Sequence, residues 1–312
     1  MKNIIKKYSF LLGIIIFLIV LSKTNLGEIF KNIEKIKFIY LFGGLLLTLP
    51  TMFTKALGWN YIKKQQGINY SLKNSFLMYC SGLYLGLVTP GRLGELTKAL
   101  YLKKDGYSIG KSLTSVVLDR LTDVVFLLAF VFLGSLLFLD ALQKTILIPI
   151  LCIIITVVLF LMLLKMGLIK WGLNKLFYFL VPEKYQKSWK VNSQDFINGF
   201  KDYTLKNYIV IFLITMISYL FYYLQMYLLA KGVGINIHFS YLSVAVTIAG
   251  LITLIPISIS GIGTRDAALI FLLTPLSVPK EQVIVFSMLI LLMVAWGALI
   301  GLFCWLIKPI KL

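Results

Sequence analysis

Long apolar runs dominate this sequence and restrict its fold more than any other feature. Several of them reach the roughly 20 residues that a helix needs to cross a bilayer. The runs lie at 8–22, 38–62, 75–89, 112–139, 146–165, 207–230, 240–258 and 281–307. The chain of 312 residues is 59% hydrophobic, which far exceeds the apolar content of ordinary soluble domains. We therefore predict a single all-α domain over residues 1–312, a polytopic transmembrane helical bundle.

Two of these runs are predicted to turn back rather than to cross the membrane. The run 75–89 is too short to span and ends in a Thr-Pro-Gly sequence, after which 94–103 forms a short helix. The run 240–258 ends in a glycine-rich sequence and is followed by the short helix 264–275. We therefore expect about six full spans and two opposed re-entrant broken hairpins, an arrangement typical of transporters with inverted repeats.

Lysines beside the apolar runs predict the orientation of the bundle in the cytoplasmic membrane of the cell. Cytoplasmic loops carry an excess of lysine and arginine, so both termini and the connector after the second run are placed inside. The residues that place them are Lys2, Lys6, Lys7, Lys55, Lys63, Lys64, Lys73, Lys308 and Lys311. The connector 23–37 is then external. The net charge of +19 reflects topology and contact with anionic lipid, and no pattern favours nucleic-acid binding.

The segment 166–206 is the longest stretch outside the predicted spans and separates the halves 1–165 and 207–312. It contains Trp171, Trp189 and several lysines, a composition typical of a helix that lies in the headgroup region. We predict that it is a cytoplasmic interfacial segment.

All three arginines lie in apolar stretches beside a carboxylate: Arg92 in TPGRLGE, Arg120 in VVLDRLTD and Arg265 in SGIGTRDAAL. A charge in hydrocarbon costs roughly 2.5–3.5 kcal/mol on insertion scales, so these residues are candidates for function. A guanidinium can grip a phosphate with two parallel hydrogen bonds. We predict that Arg92 and Arg265 bind a lipid phosphate from opposite leaflets. The alternative is that Arg92–Glu95 and Arg265–Asp266 are internal ion pairs that fix the hairpins.

Glycines frame both breaks and predict a backbone anion site at each one. A glycine at the start of a helix lets the backbone approach a ligand closely, and the helix dipole adds positive potential there. The glycines concerned are Gly91, Gly94, Gly261 and Gly263. The two breaks, GRLGE and GIGTRD, also resemble each other, which indicates an inverted pseudo-repeat with Arg92 opposite Arg265.

Asp119 and Asp123 lie four residues apart in a predicted helix, so they share one face. Two carboxylates one turn apart in a low dielectric repel each other, and therefore need a cation between them unless one carries a proton. Arg120, Arg92 or Lys98 could supply that cation. Two interpretations stay open: a site that takes part in transport, proton-coupled transport included, or a charge network that braces the first hairpin.

Two stretches of the chain resemble the signatures of the lysylphosphatidylglycerol synthase transmembrane-region family. They are GLVTPGRLGELTKALYLKKDGYSIGKSLTSVVLDRLTDVVFLL and SISGIGTRDAALIFLL, and the resemblance covers essentially the whole chain. The family supplies the flippase half of the bacterial multiple peptide resistance factor. The resemblance implies that the substrate-binding residues are Arg92, Glu95, Lys98, Asp119, Arg120, Asp123, Arg265 and Asp266.

This sequence departs from the family pattern in two respects. The second signature commonly has a double glycine and a glutamate, where this chain has Gly261-Ile262-Gly263 and Asp266. The sequence ends at Leu312, and we expect that no aminoacyl-transfer domain follows. We therefore expect the membrane translocation module without the synthase, and the substrate need not be lysylphosphatidylglycerol.

The function that we predict is a flippase for an anionic or aminoacylated phospholipid or a polyprenyl-phosphate-linked lipid, without a cofactor or a metal. A buried phosphate needs a matched cation, which the arginines supply. A separate lipid synthase or glycosyltransferase, and a second copy of the chain, are the expected partners. The alternatives are an integral-membrane enzyme that acts on lipid-linked phosphates or sugars and a non-transporting partner of a lipid synthase. With His238 as its only histidine, the chain has no metal or catalytic-triad signature.

Overall fold

Regular structure is helical wherever the computed structural model describes the chain, which is at residues 17–20, 22, 24–87, 94–137, 195–253, 258 and 261–309. This confirms the predicted all-α class. The helices are α1 (Leu26–Glu34), α2 (Phe38–Gln65), α3 (Leu72–Leu87), α4 (Thr97–Lys104), α5 (Ile109–Leu137), α6 (Leu205–Val233), α7 (Phe239–Thr253), α8 (Thr264–Leu273) and α9 (Lys280–Ile307). The predicted run 146–165, most of 8–22 and most of 166–206 lie outside the described residues.

Three of these helices are long and apolar enough to cross a membrane: α2, α6 and α9. Each has 28 or 29 residues, so each is about 42 Å long and exceeds a hydrocarbon core of roughly 30 Å. α5 has 29 residues but carries Lys111, Asp119, Arg120 and Asp123 in its first half. Large apolar side chains such as Phe42 and Phe303 are exposed on the outside of the bundle, as expected for a surface that contacts lipid.

The first hairpin consists of α3 and α4, which pack side by side in opposite directions. A Cβ on Gly94 would lie 2.0 Å from the carbonyl oxygen of Leu85, so only glycine lets the two arms approach this closely. Lower in the hairpin, the side chain of Lys98 passes directly over Gly82. The chain therefore turns back here, as predicted.

The second hairpin consists of α7 and α8 and is built in the same way. A Cβ on Gly261 would lie 2.5 Å from the side chain of Thr253, and the hydroxyl of Tyr241 donates to the carbonyl of Leu272 at 3.0 Å. The first turn of α7 therefore lies beside the last turn of α8.

The two hairpins approach the middle of α9 from its two ends. α3 runs antiparallel to α9, with Cys80 beside Cys304, and the hydroxyl of Tyr101 donates to the carbonyl of Lys308 at 2.6 Å. α8 leads through the 3-10 turn Thr274–Leu276 into the start of α9. Arg265 of α8 contacts Ser287, which lies two turns into α9. The prediction of two opposed broken hairpins is thereby confirmed for the described residues.

The two halves repeat with a constant offset of 167 residues, and their long helices run in opposite directions. α2, α3 and α4 begin at Phe38, Leu72 and Thr97, and α6, α7 and α8 begin 167 residues later at Leu205, Phe239 and Thr264. α2 and α6 are antiparallel, because Gln225 donates to the carbonyl of Gly44 while Asn207 donates to Tyr61. These features define an inverted repeat with a pseudo-two-fold axis.

That axis passes between α2 and α6 at Thr51 and Ser218. These two residues are equivalent by the offset, and the hydroxyl of Ser218 donates to the carbonyl of Thr51 at 3.3 Å. The same offset relates Gly134 of α5 to Gly301 of α9, and at each glycine a hairpin packs closely on the helix. Val244 packs on Gly134, and the backbone at Cys80 packs on Gly301.

Two features of the first half were not predicted from the sequence. The connector 23–37 contains α1, whose first turn is capped by the side chain of Asn25, which accepts from Gly27 and Glu28. Lys55 and Lys63 were used to place the next connector in the cytoplasm; both lie inside α2, and Lys63 is completely buried. For a lysine near the end of a long apolar helix, the neighbouring sequence does not show whether its side chain is buried or lies at the cytoplasmic surface of the membrane.

Candidate functional site

A cavity of ≈ 310 Å³ lies on the pseudo-two-fold axis. Its wall is drawn from equivalent positions of the two halves, because Thr51, Leu83 and Leu127 of the first half recur as Ser218, Gly250 and Val294 of the second. The cavity is therefore shared by α2, α3, α5, α6, α7 and α9, between the breaks of the two hairpins. A central cavity at the interface of inverted repeats is the position at which secondary transporters bind substrate.

The wall of the cavity is symmetric in position but not in chemistry. Lys55 of the first half is matched by Tyr222 of the second, and Asp123 is matched by Ile290. Among the described residues, the charged ones in the wall are Lys55, Arg120 and Asp123, and all belong to the first half. The second half contributes aromatic, hydroxyl, aliphatic and methionine side chains and the amide of Gln225. The first half therefore holds the charges at this cavity, and the second half provides a largely apolar surface opposite them.

The charges of the first half form one connected network of three acids and three bases. Lys98 Nζ lies 2.8 Å from Asp119 Oδ2 and 3.9 Å from Glu95 Oε2. The guanidinium of Arg120 contacts Glu95 and lies 3.7 Å from Asp123 Oδ2, and Lys55 contacts Asp123 Oδ1. The network brings together five of the predicted site residues and adds Lys55.

Helix geometry explains how these charges meet. Asp119 and Asp123 share one face of α5, one turn apart, and each has its own lysine. Lys98 can reach Asp119 because Gly82 of α3 leaves room for its stem, and its ammonium lies 4.3 Å from the centre of the Tyr79 ring. The predicted cation between the two aspartates is thus supplied by Lys98 and Lys55 separately, rather than by a single residue.

Exposure divides the network into an inner part and a part that faces the cavity. Glu95, Lys98 and Asp119 are buried and do not line the cavity. The side chain of Arg120 is 32% exposed and that of Lys55 is 14% exposed, and both line it. The groups that a ligand in the cavity would meet first are therefore Lys55, Arg120 and Asp123.

The second hairpin holds a separate buried cluster around Arg265. The guanidinium donates to the hydroxyl and the carbonyl oxygens of Ser287 at 2.8 and 3.0 Å and lies 3.4 Å from Asp266. Asp266 also accepts from the hydroxyl of Ser287. None of the three residues lines the cavity. For Arg265 and Asp266, this geometry supports the alternative of an internal pair that fixes the hairpin.

The glycines of the predicted anion sites have structural partners where they are described. The N–H of Gly263, which has a φ of 81°, donates to Asp266 Oδ2 at 2.8 Å, so the carboxylate of the chain itself caps α8. Gly94 provides the close approach to Leu85. Gly91 and Arg92 lie outside the described residues.

The offset also changes the predicted correspondence between the two breaks. Lys98, not Arg92, occupies the position equivalent to Arg265, since Thr97-Lys98 and Thr264-Arg265 both begin the second arm of a hairpin. The pattern of glycine, two residues, threonine and a base at Gly94 and Gly261 is the signal that could have revealed this. Lys55, the other residue that sequence reasoning missed, has no such pattern around it.

Metal binding has no support in the part of the chain that the structure describes, where no group of three or more His, Cys, Asp or Glu residues could hold an ion. The Cys80 and Cys304 thiols are free and lie side by side in an apolar cluster.

Comparison with known proteins agrees with this architecture. Residues 7–301 match the family described as the lysylphosphatidylglycerol synthase TM region. The UPF0104 membrane protein MJ1595 of Methanocaldococcus jannaschii is 24% identical over 297 residues, which cover 90% of this chain and 88% of that protein. The UPF0104 membrane protein PH1989 of Pyrococcus horikoshii is 26% identical over 136 residues, 42% of this chain and 41% of that protein. No solved structure matches the chain.

The family match extends over nearly the whole sequence and includes both hairpins and the charged network. It confirms the resemblance predicted from the two signatures. The chain is therefore a multi-pass membrane protein that belongs to the lysylphosphatidylglycerol synthase TM-region family.

Proposed function

We propose that this protein moves a phosphate-bearing lipid between the two leaflets of a membrane, with the headgroup held in the central cavity by Lys55 and Arg120. The observation that carries the proposal is the charged wall of a cavity that lies on the axis of an inverted repeat. Charged side chains are costly in a membrane, and here they line a cavity that only the two halves together can form. The acyl or polyprenyl chains would stay in the bilayer while the headgroup passes through the protein.

The chemistry of the wall restricts the headgroup. Lys55 and Arg120 offer an ammonium and a guanidinium to an anion, and the aromatic rings of Tyr79, Tyr219 and Tyr222 can pack against a sugar or an amine. An anionic or aminoacylated phospholipid and a polyprenyl-phosphate-linked lipid all meet these requirements. We place the protein in the cytoplasmic membrane with both termini in the cytoplasm, and a separate lipid synthase or glycosyltransferase would provide the substrate.

The proposal is tested in proteoliposomes with lipids that carry a fluorescent label on one chain. Labelled phosphatidylglycerol, an aminoacyl phosphatidylglycerol and a polyprenyl phosphate are compared for protein-dependent movement between leaflets. We expect Lys55→Met and Arg120→Met to slow the movement of the transported lipid at least about tenfold, because each removes a charged contact worth roughly 1.5–3 kcal/mol.

Lys64→Met is the matched control. Lys64 is the same residue type in the same helix but is exposed, so its loss should leave transport unchanged. The proposal fails if the wild-type protein moves none of the three lipids, or if Lys55→Met and Arg120→Met both transport at the wild-type rate.

A further inference from the structure

We propose that binding of a lipid phosphate with a net negative charge is coupled to the uptake of one proton, and that Asp123 receives it. This inference rests on the proposed function. It concerns how the site balances the charge of its ligand, which neither the family match nor the relatives address.

Asp123 occupies the place in the cavity that a phosphate would take. Its Oδ1 contacts Lys55, its Oδ2 faces Arg120 at 3.7 Å, and all three residues line the cavity. One carboxylate thus joins the two cations with one oxygen for each. A phosphodiester has two non-bridging oxygens that can make the same two contacts. A phosphodiester that takes these two contacts therefore displaces the carboxylate from both cations.

The charge balance of the network decides what must accompany that exchange. Among the described residues, the three positive charges of Lys55, Lys98 and Arg120 match the three negative charges of Glu95, Asp119 and Asp123. Arg92 lies outside these residues and is not counted. A phosphodiester that enters alone would leave one uncompensated negative charge in a medium of low dielectric, which is strongly unfavourable. A proton that enters with it restores neutrality.

Asp123 is the carboxylate that can take this proton. Glu95 and Asp119 are buried away from the cavity, and Lys98 lies 2.8 Å from Asp119 and 3.9 Å from Glu95. Glu95 shares Arg120 with the ligand but keeps Lys98. Asp123 is the acid both of whose cations, Lys55 and Arg120, the ligand would claim, so it loses its compensation when the ligand binds.

The groups around Asp123 on every neighbouring helix agree with this assignment. α2 presents Lys55, α3 presents Tyr79, α4 contributes Lys98 and its preceding turn Glu95, and α5 carries Asp119 and Arg120. α6 presents Tyr219 and Tyr222, while the described parts of α7 and α9 line the cavity with aliphatic, methionine, glycine and threonine residues only. No second acid in the described part of the cavity wall competes for the proton.

The exchange is balanced in charge and atoms. One proton from water adds to a carboxylate oxygen of Asp123, and the non-bridging oxygens of the phosphodiester take its place at Lys55 and Arg120. When the lipid leaves, Asp123 returns the proton to water and closes on the two cations again. A zwitterionic phospholipid brings its own cation and needs no proton.

The experiment compares two short-chain lipids that differ in net charge. The protein in detergent is titrated by calorimetry with phosphatidylglycerol and with phosphatidylcholine, each in two buffers of different ionisation enthalpy near neutral pH. We expect uptake of about one proton for each phosphatidylglycerol bound and none for phosphatidylcholine. The affinity for phosphatidylglycerol should then weaken up to about tenfold for each unit by which the pH rises, while that for phosphatidylcholine stays constant.

Two variants locate the proton. Asp123→Asn should bind phosphatidylglycerol without proton uptake and without pH dependence, and the carboxylic-acid C=O stretch that the lipid induces in the infrared difference spectrum should disappear. Asp105→Asn, an exposed acid outside the network, should keep both signals.

Phosphatidylglycerol that binds to the wild-type protein without proton uptake would overturn this inference and leave the proposed function intact. Full uptake in Asp123→Asn would do the same. If the wild-type protein neither binds nor moves any phospholipid, the proposed function and this inference both fail. The comparison of the two lipids on the wild-type protein decides whether proton uptake accompanies binding even if Asp123→Asn does not fold.

Discussion

The two hairpins share one architecture but use their buried charges differently. In the first hairpin, Lys98 joins a network that continues through Arg120 and Lys55 to the cavity. In the second hairpin, Arg265 occupies the position equivalent to Lys98, and its contacts with Ser287 and Asp266 lie away from the cavity. The comparison teaches that a buried charge near a hairpin break is not by itself a ligand site. The two hairpins differ in whether the buried cation is connected, through other charged residues, to the cavity wall.

The largest expected difference between the hairpins is the cost of removing the equivalent cations. Lys98→Met leaves Asp119 as a buried carboxylate without its cation, which typically costs about 3–5 kcal/mol. Arg265→Met should cost less, about 1–3 kcal/mol, because Asp266 keeps the N–H of Gly263 and the hydroxyl of Ser287. The measurement is the free energy of unfolding in mixed micelles.

A double variant separates pairing from packing in this comparison. Lys98→Met with Asp119→Leu removes both members of the buried pair and should recover most of the stability that Lys98→Met loses. The distinction between the hairpins would be wrong if Arg265→Met proved the more destabilising of the two single changes.

A smaller difference in stability is expected between variants of the two glycines at which the hairpins pack on α5 and α9. Gly301→Ala places a methyl group 2.5 Å from the carbonyl oxygen of Cys80, and the backbone of α3 must move to relieve this contact. Gly134→Ala meets a methyl group of Val244, a side chain that can rotate away. We expect Gly301→Ala to lower the free energy of unfolding by about 1–3 kcal/mol and Gly134→Ala by less. Equal losses of stability would contradict this prediction, because they would mean that both contacts accept an added methyl group equally well.

The smallest effects should come from one tyrosine hydroxyl in each hairpin. Tyr101 bonds the first hairpin to the end of α9, whereas Tyr241 bonds the two arms of the second hairpin to each other. Tyr101→Phe and Tyr241→Phe should each cost about 1 kcal/mol. Hydrogen exchange distinguishes them, because Tyr101→Phe should loosen the last turn of α9 and Tyr241→Phe should loosen α8. The reverse pattern would contradict the assignment of these contacts.

Much of the fold could be predicted from the sequence, because apolar runs and their breaks follow from the thickness of a bilayer. The run 75–89 was too short to span, and the run 240–258 ended at a glycine-rich break; these two features led to the two hairpins. α1 was missed although its signal was present, since Asn25 followed by Glu28 is an ordinary helix start. The connector was treated as a source of charge for the topology, and its helix pattern was not considered.

The site could be predicted less completely, because pairing across helices leaves no mark in one sequence. The aspartates of α5 and Lys98 were found through their spacing and the family signature. Lys55 was missed because a lysine near the end of an apolar helix resembles a topological charge. The sequence could not decide between the two interpretations of Arg265, since Ser287, its hydrogen-bond partner, is a serine 22 residues along the chain.

The constant offset between the halves limits how this chain can change in length. A residue inserted within α2 would turn everything after it by about 100°, and Lys55 would then leave the wall that it shares with Tyr222. The length of each described helix must therefore be kept between the residues that line the cavity. The described connectors between helices are under no such restriction, since a change in their length turns no residue within a helix. Insertions and deletions among relatives should therefore accumulate in those connectors.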